Sequence, residues 1–222
     1  MGAKTWMLVQ SEQDARYALA KQPGLDRAAT HQLAARMFPG EMLEFVGEGS
    51  LSFTSPPDDE IYLGCFPGVS IVAAAEFALD YPSQLPMRFI ERIGAGTVTL
   101  HAMHSVVDWL AFAQWRDRHL IRSLSLSPDS GVLENIGSPF KFEMPFWAGD
   151  HPAIDPAEAQ AGETYPFVFH PLELGEAALA AFFGYQLEGV YGTALAPLDS
   201  ESIPLLIFKR VKTHKKAWWK FW

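Results

Sequence analysis

The sequence predicts an α+β domain in which one largely antiparallel sheet is covered by a few helices. Three observations carry this. Residues 97–103, 106–115 and 120–126 are consecutive β-rich runs split by turn-prone breaks, among them Arg116-Asp117-Arg118-His119, which is the pattern of an antiparallel meander. Helical and strand-like stretches do not alternate regularly, which sets a parallel α/β arrangement aside. At 222 residues, 49% apolar and 19% charged, the chain has ordinary globular composition and enough length for a core without covalent staples.

Residues 5–9 are apolar and β-leaning and open the sheet. Residues 14–20 make one or two helical turns before Pro23-Gly24 stops them. Asp26 is placed to cap a helix over 27–38, with Leu33 and Met37 on its inner stripe and Pro39-Gly40 as its end. Residues 42–46 and 50–54 read as a short strand pair around Gly47 and Gly49, and 55–59 as a loop whose prolines deny it any ladder role. Residues 61–66 and 69–74 read as buried strands separated by Pro67-Gly68, and 86–93 as a short helix ended by Gly94. Beyond the meander, 127–131 is a turn leaving the sheet. Residues 137–171, rich in Pro, Gly and aromatics, form an irregular ordered crossing with a mobile loop at 151–164. Residues 173–183 give the best helical pattern: Leu174, Ala177, Ala178, Ala181 and Phe182 share a face, and Gly184 ends it. A last strand over 205–211 leads into the tail. The chain therefore divides into a single domain, 1–208, and a tail, 209–222.

The single cysteine, Cys65, rules out an intramolecular disulfide, and as the end of an apolar strand it reads as a buried structural thiol. The opening residues carry no apolar run of signal-peptide length, and Trp6 occupies the position where N-myristoylation needs Ser or Thr. A cytoplasmic location is expected. Net charge is −9, unevenly spread: six of the 17 basic residues lie in 209–222 with no acid, leaving 11 against 26 acids before them. Such an acidic body repels phosphates and argues against nucleic acid as its partner.

Candidate chemistry clusters in two places. His101, His104 and Asp108 are metal-ligand types, but in an extended strand the two imidazoles point to opposite faces, so no metal site is expected. With Asp129 or Ser130 of the Ser127-Pro128-Asp129-Ser130-Gly131 segment they would instead supply the ingredients of a hydrolase. That segment is also standard turn chemistry, and the Gly-x-Ser-x-Gly elbow is missing. The second place is the start of the late helix. There His170 and Glu173, with Trp147 and His151, would flank an aromatic-lined pocket, although the helix dipole alone accounts for an acid at that end. Neither Gly47-Glu48-Gly49 nor Gly94-Ala95-Gly96 continues as a phosphate loop, and no cofactor is expected.

Five segments together resemble a family, mainly actinobacterial, built on a domain of unknown function. They are Met1-Gly-Ala-Lys-Thr5, Cys65-Phe-Pro-Gly68, Leu100-His-Ala-Met-His-Ser-Val-Val-Asp-Trp109, Ser125-Leu-Ser-Pro-Asp-Ser-Gly131 and Phe169-His-Pro-Leu-Glu-Leu-Gly-Glu-Ala177. The resemblance spans roughly residues 1–208 and implies a bacterial cytoplasmic protein, with no catalytic role to carry over.

The tail lies outside it. Lys215, Lys216, Trp218, Trp219, Lys220 and Trp222 set cations beside amphipathic rings, a mixture suited to docking on an acidic protein surface (its own body or a second copy) or to an anionic membrane surface, with single-stranded nucleic acid and a frayed end as the lesser readings. The function expected from all this is a cytoplasmic binding or interaction protein with an aromatic-lined pocket and a docking tail. A hydrolase and a peripheral membrane protein are the alternatives.

Overall fold

The computed structural model describes residues 2–154, 164–188 and 198–211. It contains one sheet of nine antiparallel strands: β1 (Lys4–Ser11), β2 (Leu43–Ser50), β3 (Glu60–Phe66), β4 (Val69–Ala73), β5 (Thr97–His104), β6 (Trp109–Arg116), β7 (His119–Ser127), β8 (Gly131–Ile136) and β9 (Pro204–Arg210). Their order across the sheet is β2-β9-β3-β4-β1-β5-β6-β7-β8. The described helices are α1 (Ala15–Ala20), α2 (Arg27–Met37), α3 (Met87–Ile93), α4 (Met144–Ala148) and α5 (Pro171–Phe183). The fold is α+β, an open antiparallel sheet with covering helices.

Period-two alternation sorts each central strand onto two cores. Met7, Val9, Met103, Leu110, Phe112 and Leu124 face α1, α4 and α5, while Leu8, Leu100, Ala102, Ala111 and Ala113 face α2 and α3. The helices start where the sequence supplies a cap. Asp14 accepts from the Arg16 N–H and Asp26 from the Ala29 N–H. Pro171 opens α5 and Gly184, at φ +85°, closes it in the left-handed region. Gly175 lets α5 lie close to the sheet: a Cβ there would meet Met103 Sδ at 2.9 Å and Leu110 Cδ1 at 3.2 Å.

Two local expectations are overturned. The pair expected around Gly47 and Gly49 is one continuous strand, β2, which runs through both glycines and pairs with β9 rather than with residues 50–54. A register shift between Phe45 and Gly47 bends it, a common device on an exposed edge. The 127–131 turn does not leave the sheet either. It returns as β8, the opposite edge. The irregular crossing contains α4, and β6 begins only at Trp109 because the preceding turn places Asp108 at φ +47°. Of the loop expected at 151–164, residues 155–163 lie outside the described residues.

Candidate functional site

Antiparallel pairing gathers the ends of several strands on one rim of the sheet. Lys4 of β1 lies opposite His104 of β5, His104 opposite Trp109 of β6, and Ser127 of β7 opposite Gly131 of β8. The β5–β6 turn carries Asp108, and the N-terminus of α5 meets it. His170 Nε2 lies 3.5 Å from Asp108 Oδ2, and the Tyr165 hydroxyl donates to the same oxygen at 3.4 Å. Tyr165 and His170 stack with ring centres 5.4 Å apart. The other ring nitrogen of His170, Nδ1, accepts from the Leu172 N–H at 3.3 Å and so caps α5. Burial, and after it the negative charges of Asp108 and Glu173, raises the Tyr165 pKa far above its ordinary value, so the phenol stays a donor. All of these side chains are half-buried.

A second aromatic cluster gathers around Phe169, the residue before His170 in sequence. Trp147 meets Phe169 edge-on at 5.0 Å, Phe146 meets it at 5.7 Å, and His151 stacks on Phe146 at 4.4 Å. Trp147 and His151 are half-buried, while Met144 and Val168 beside them are 56% and 58% exposed. What Asp108 and Glu173 offer beside the stacked Tyr165 and His170 rings is negative charge next to aromatic surface, the chemistry that receives cationic groups.

The other candidates are placed differently. His101 is fully buried on the α5 face. Its Nδ1 accepts from the Thr5 hydroxyl at 2.7 Å, and its Nε2–H donates to the Gly175 carbonyl at 3.1 Å. Burial pushes its pKa down to about 4, partly opposed by the Gly175 bond, so the ring is neutral and both nitrogens are engaged. His104 takes the opposite face, where it stacks with Trp6 at 6.1 Å and accepts the Val106 N–H at 3.2 Å through Nδ1. Burial first, then Lys4, lowers its pKa. Asp129 and Ser130 are exposed on the β7–β8 turn, where the Ser130 N–H donates to Ser127 Oγ at 3.2 Å. Asp108 thus meets His170 and Tyr165 from far along the chain, while the two histidines nearest it in sequence are separated by the sheet. Among the described residues no group of three His, Cys, Asp or Glu is placed to hold a metal ion. Lys215, Lys216, Trp218, Trp219, Lys220 and Trp222 lie outside the described residues.

Sequence reasoning missed the polar network that fixes the aromatic segment. Arg122 and Glu143 are fully buried and ion-paired, and Glu143 also accepts from the Phe140 N–H at 2.7 Å and lies 3.4 Å from Trp147 Nε1. The available signal was an arginine at a core position of the Leu120, Arg122, Leu124, Leu126 alternation, since a buried guanidinium requires an acid.

Fold and site define an α+β protein of one open nine-stranded sheet with an acid-and-aromatic cluster on its rim. No helix among the described residues is long and apolar enough to cross a membrane. Residues 5–208 match the model of a family of unknown function (DUF6928), and the chain belongs to that family. No curated protein and no solved structure matches the chain.

Proposed function

We propose that this is a cytoplasmic binding protein of an actinobacterial family, whose acid-and-aromatic rim around Asp108 and His170 takes basic, aromatic chain segments, its own C-terminal tail among them. The observation that carries the reading is a shared end of the sheet. β9 pairs antiparallel with β3, Lys209 opposite Glu60, so its last residues lie on the same rim as Asp108. From β9 to the β5–β6 turn is at most five strand steps, about 24 Å. The eleven residues after Val211 reach about 36 Å when extended. The charges complement each other, since the tail is purely basic and the rest of the chain strongly acidic. Lys side chains suit Asp108 and Glu173, and the tail's tryptophans suit the rings of Trp147 and Tyr165. A hydrolytic role draws no support from His101, both of whose nitrogens hold the core together.

The test uses a chain ending at Val211, which keeps all nine strands, and a synthetic peptide of residues 212–222. Saturable binding that weakens at least about fivefold in Asp108→Asn or Glu173→Gln supports the proposal, in line with the loss of a charged contact. Absence of peptide binding, combined with vesicle binding by the full-length chain that the shortened chain loses, replaces it with the membrane reading.

A further inference from the structure

The opposite rim holds a cleft of about 340 Å³, floored by β1, β5 and β6 and walled by the end of α5 and the start of α1. Small-molecule pockets begin near this size, roughly 300 Å³. The floor is a polar strip on a face that is otherwise apolar core. Ser11, Thr97 and Arg116 lie side by side across the three strands, and Val9, Thr99 and Gln114 form the next row. Thr99 is 4% exposed and Ser11 7%. The Gln114 amide donates to Thr99 Oγ1 at 3.1 Å, which orients the amide and leaves its oxygen and the threonine hydrogen to other partners.

One wall is apolar and held rigidly. Phe182 packs edge-on against Phe112, Phe140 and Phe142 at 5.7, 5.6 and 5.2 Å. Ala181 and Val9 extend that surface into the cleft. At the open side is Arg116, an exposed guanidinium with no carboxylate partner among the described residues, in a chain with 26 acids. Asp14, on the rim, is engaged by Arg16 at 2.6 Å.

We infer that this cleft binds a small amphipathic carboxylate, an apolar body against Phe182 and a carboxylate on the Arg116 fork, with Ser11, Thr99 and Gln114 reading polar groups between them. One guanidinium matches a monoanion in bidentate geometry. A phosphate dianion would meet the Asp14 carboxylate, and among the described residues that line the cleft Arg116 is the one cation to balance it. The site is separate from the rim around Asp108, at the other end of β5 and β6, and does not rest on the reading given for that rim.

The experiment is an amide-resolved NMR titration of the full chain with phenylacetate, with the neutral isostere phenylacetamide and with inorganic phosphate. The Arg116→Gln variant is compared with Arg118→Gln, at the tip of the same hairpin but against the other face. Phenylacetate is expected to shift the Ser11, Thr99 and Gln114 amides saturably. Arg116→Gln and the neutral probe each weaken this at least about tenfold, and Arg118→Gln changes it less than about twofold. Three results overturn the assignment: no saturable shift up to about 20 mM phenylacetate, well above the weak-ligand range; unchanged affinity in Arg116→Gln; or phosphate binding as tightly as phenylacetate. Both variants alter exposed side chains, so a well-dispersed spectrum confirms that each one is folded.

Discussion

Arg122 and Glu143 form a two-pronged ion pair, Nε to Oε1 at 3.0 Å and Nη2 to Oε2 at 2.7 Å, with neither side chain reached by solvent. The remaining guanidinium nitrogen donates to Asn135 Oδ1 at 2.6 Å and to the Ile136 carbonyl at 3.0 Å. Burying two charges is costly, and here the cost is met by full hydrogen bonding. The pair ties the β7–β8 edge to the segment that carries Phe146 and Trp147, so rigidity of the aromatic cluster depends on it.

Removing one partner strands the other charge in the core. Arg122→Met is expected to destabilise the fold by about 3–5 kcal/mol, whereas Arg122→Met combined with Glu143→Leu costs less than Arg122→Met alone. Urea denaturation of the single and double variants measures this. A double variant as unstable as the sum of its parts would contradict it.

His101 makes stability depend on pH in a defined window. Its folded pKa of about 4 lies below the unfolded value of 6.5, so between these the unfolded chain binds the extra proton. Stability from this residue is therefore intact above pH 6.5 and falls as pH drops toward 4, by on the order of 3 kcal/mol in total. The wild-type stability minus that of His101→Gln, followed by urea denaturation from pH 7.5 to 4, is expected to shrink as the solution is acidified.

Gly175 sets the height of α5 above the sheet. Gly175→Val drives a side chain into Met103 and Leu110 and is expected to cost about 1–3 kcal/mol by overpacking. Displacing the helix also moves His170 from Asp108, so the Tyr165–His170 ring contact should disappear from the NMR spectrum along with the lost stability.

His170 both caps α5 and faces Asp108. His170→Ala is expected to lose about 1 kcal/mol through the cap, while His170→Asn keeps a capping oxygen and most of that stability. If the rim is a binding surface, both variants weaken binding of the tail peptide, because both remove the imidazole stacked on Tyr165. Thermal unfolding and peptide titration separate the two effects.

The architecture was legible where it is local. The β5–β6–β7 meander shows in the alternation of 97–126, and α2 and α5 show in their stripes and caps. Longer-range pairings were hidden. Gly47 and Gly49 resemble turn formers when read alone, but β9, more than 150 residues later, supplies the partner that keeps them extended. β8 was not foreseen, because Glu134 and Asn135 interrupt its apolar pattern. Glu134 is nevertheless satisfied by the Ser83 N–H at 3.0 Å, 51 residues away. The rim shows the same limit. Asp108 and His170 were each singled out as residues, but their meeting depends on the seating of α5 over β5 and β6, which no local pattern encodes.

The docking claim is tested most directly by a nitroxide on Lys220→Cys of the full-length chain, since the native Cys65 is buried and will not take the label. The amide signals of Tyr165, Val168 and His170 are predicted to broaden, within one molecule or in mixtures of tagged and isotope-labelled copies. If those three signals stay sharp in both samples, the tail does not occupy the rim and the docking claim is wrong.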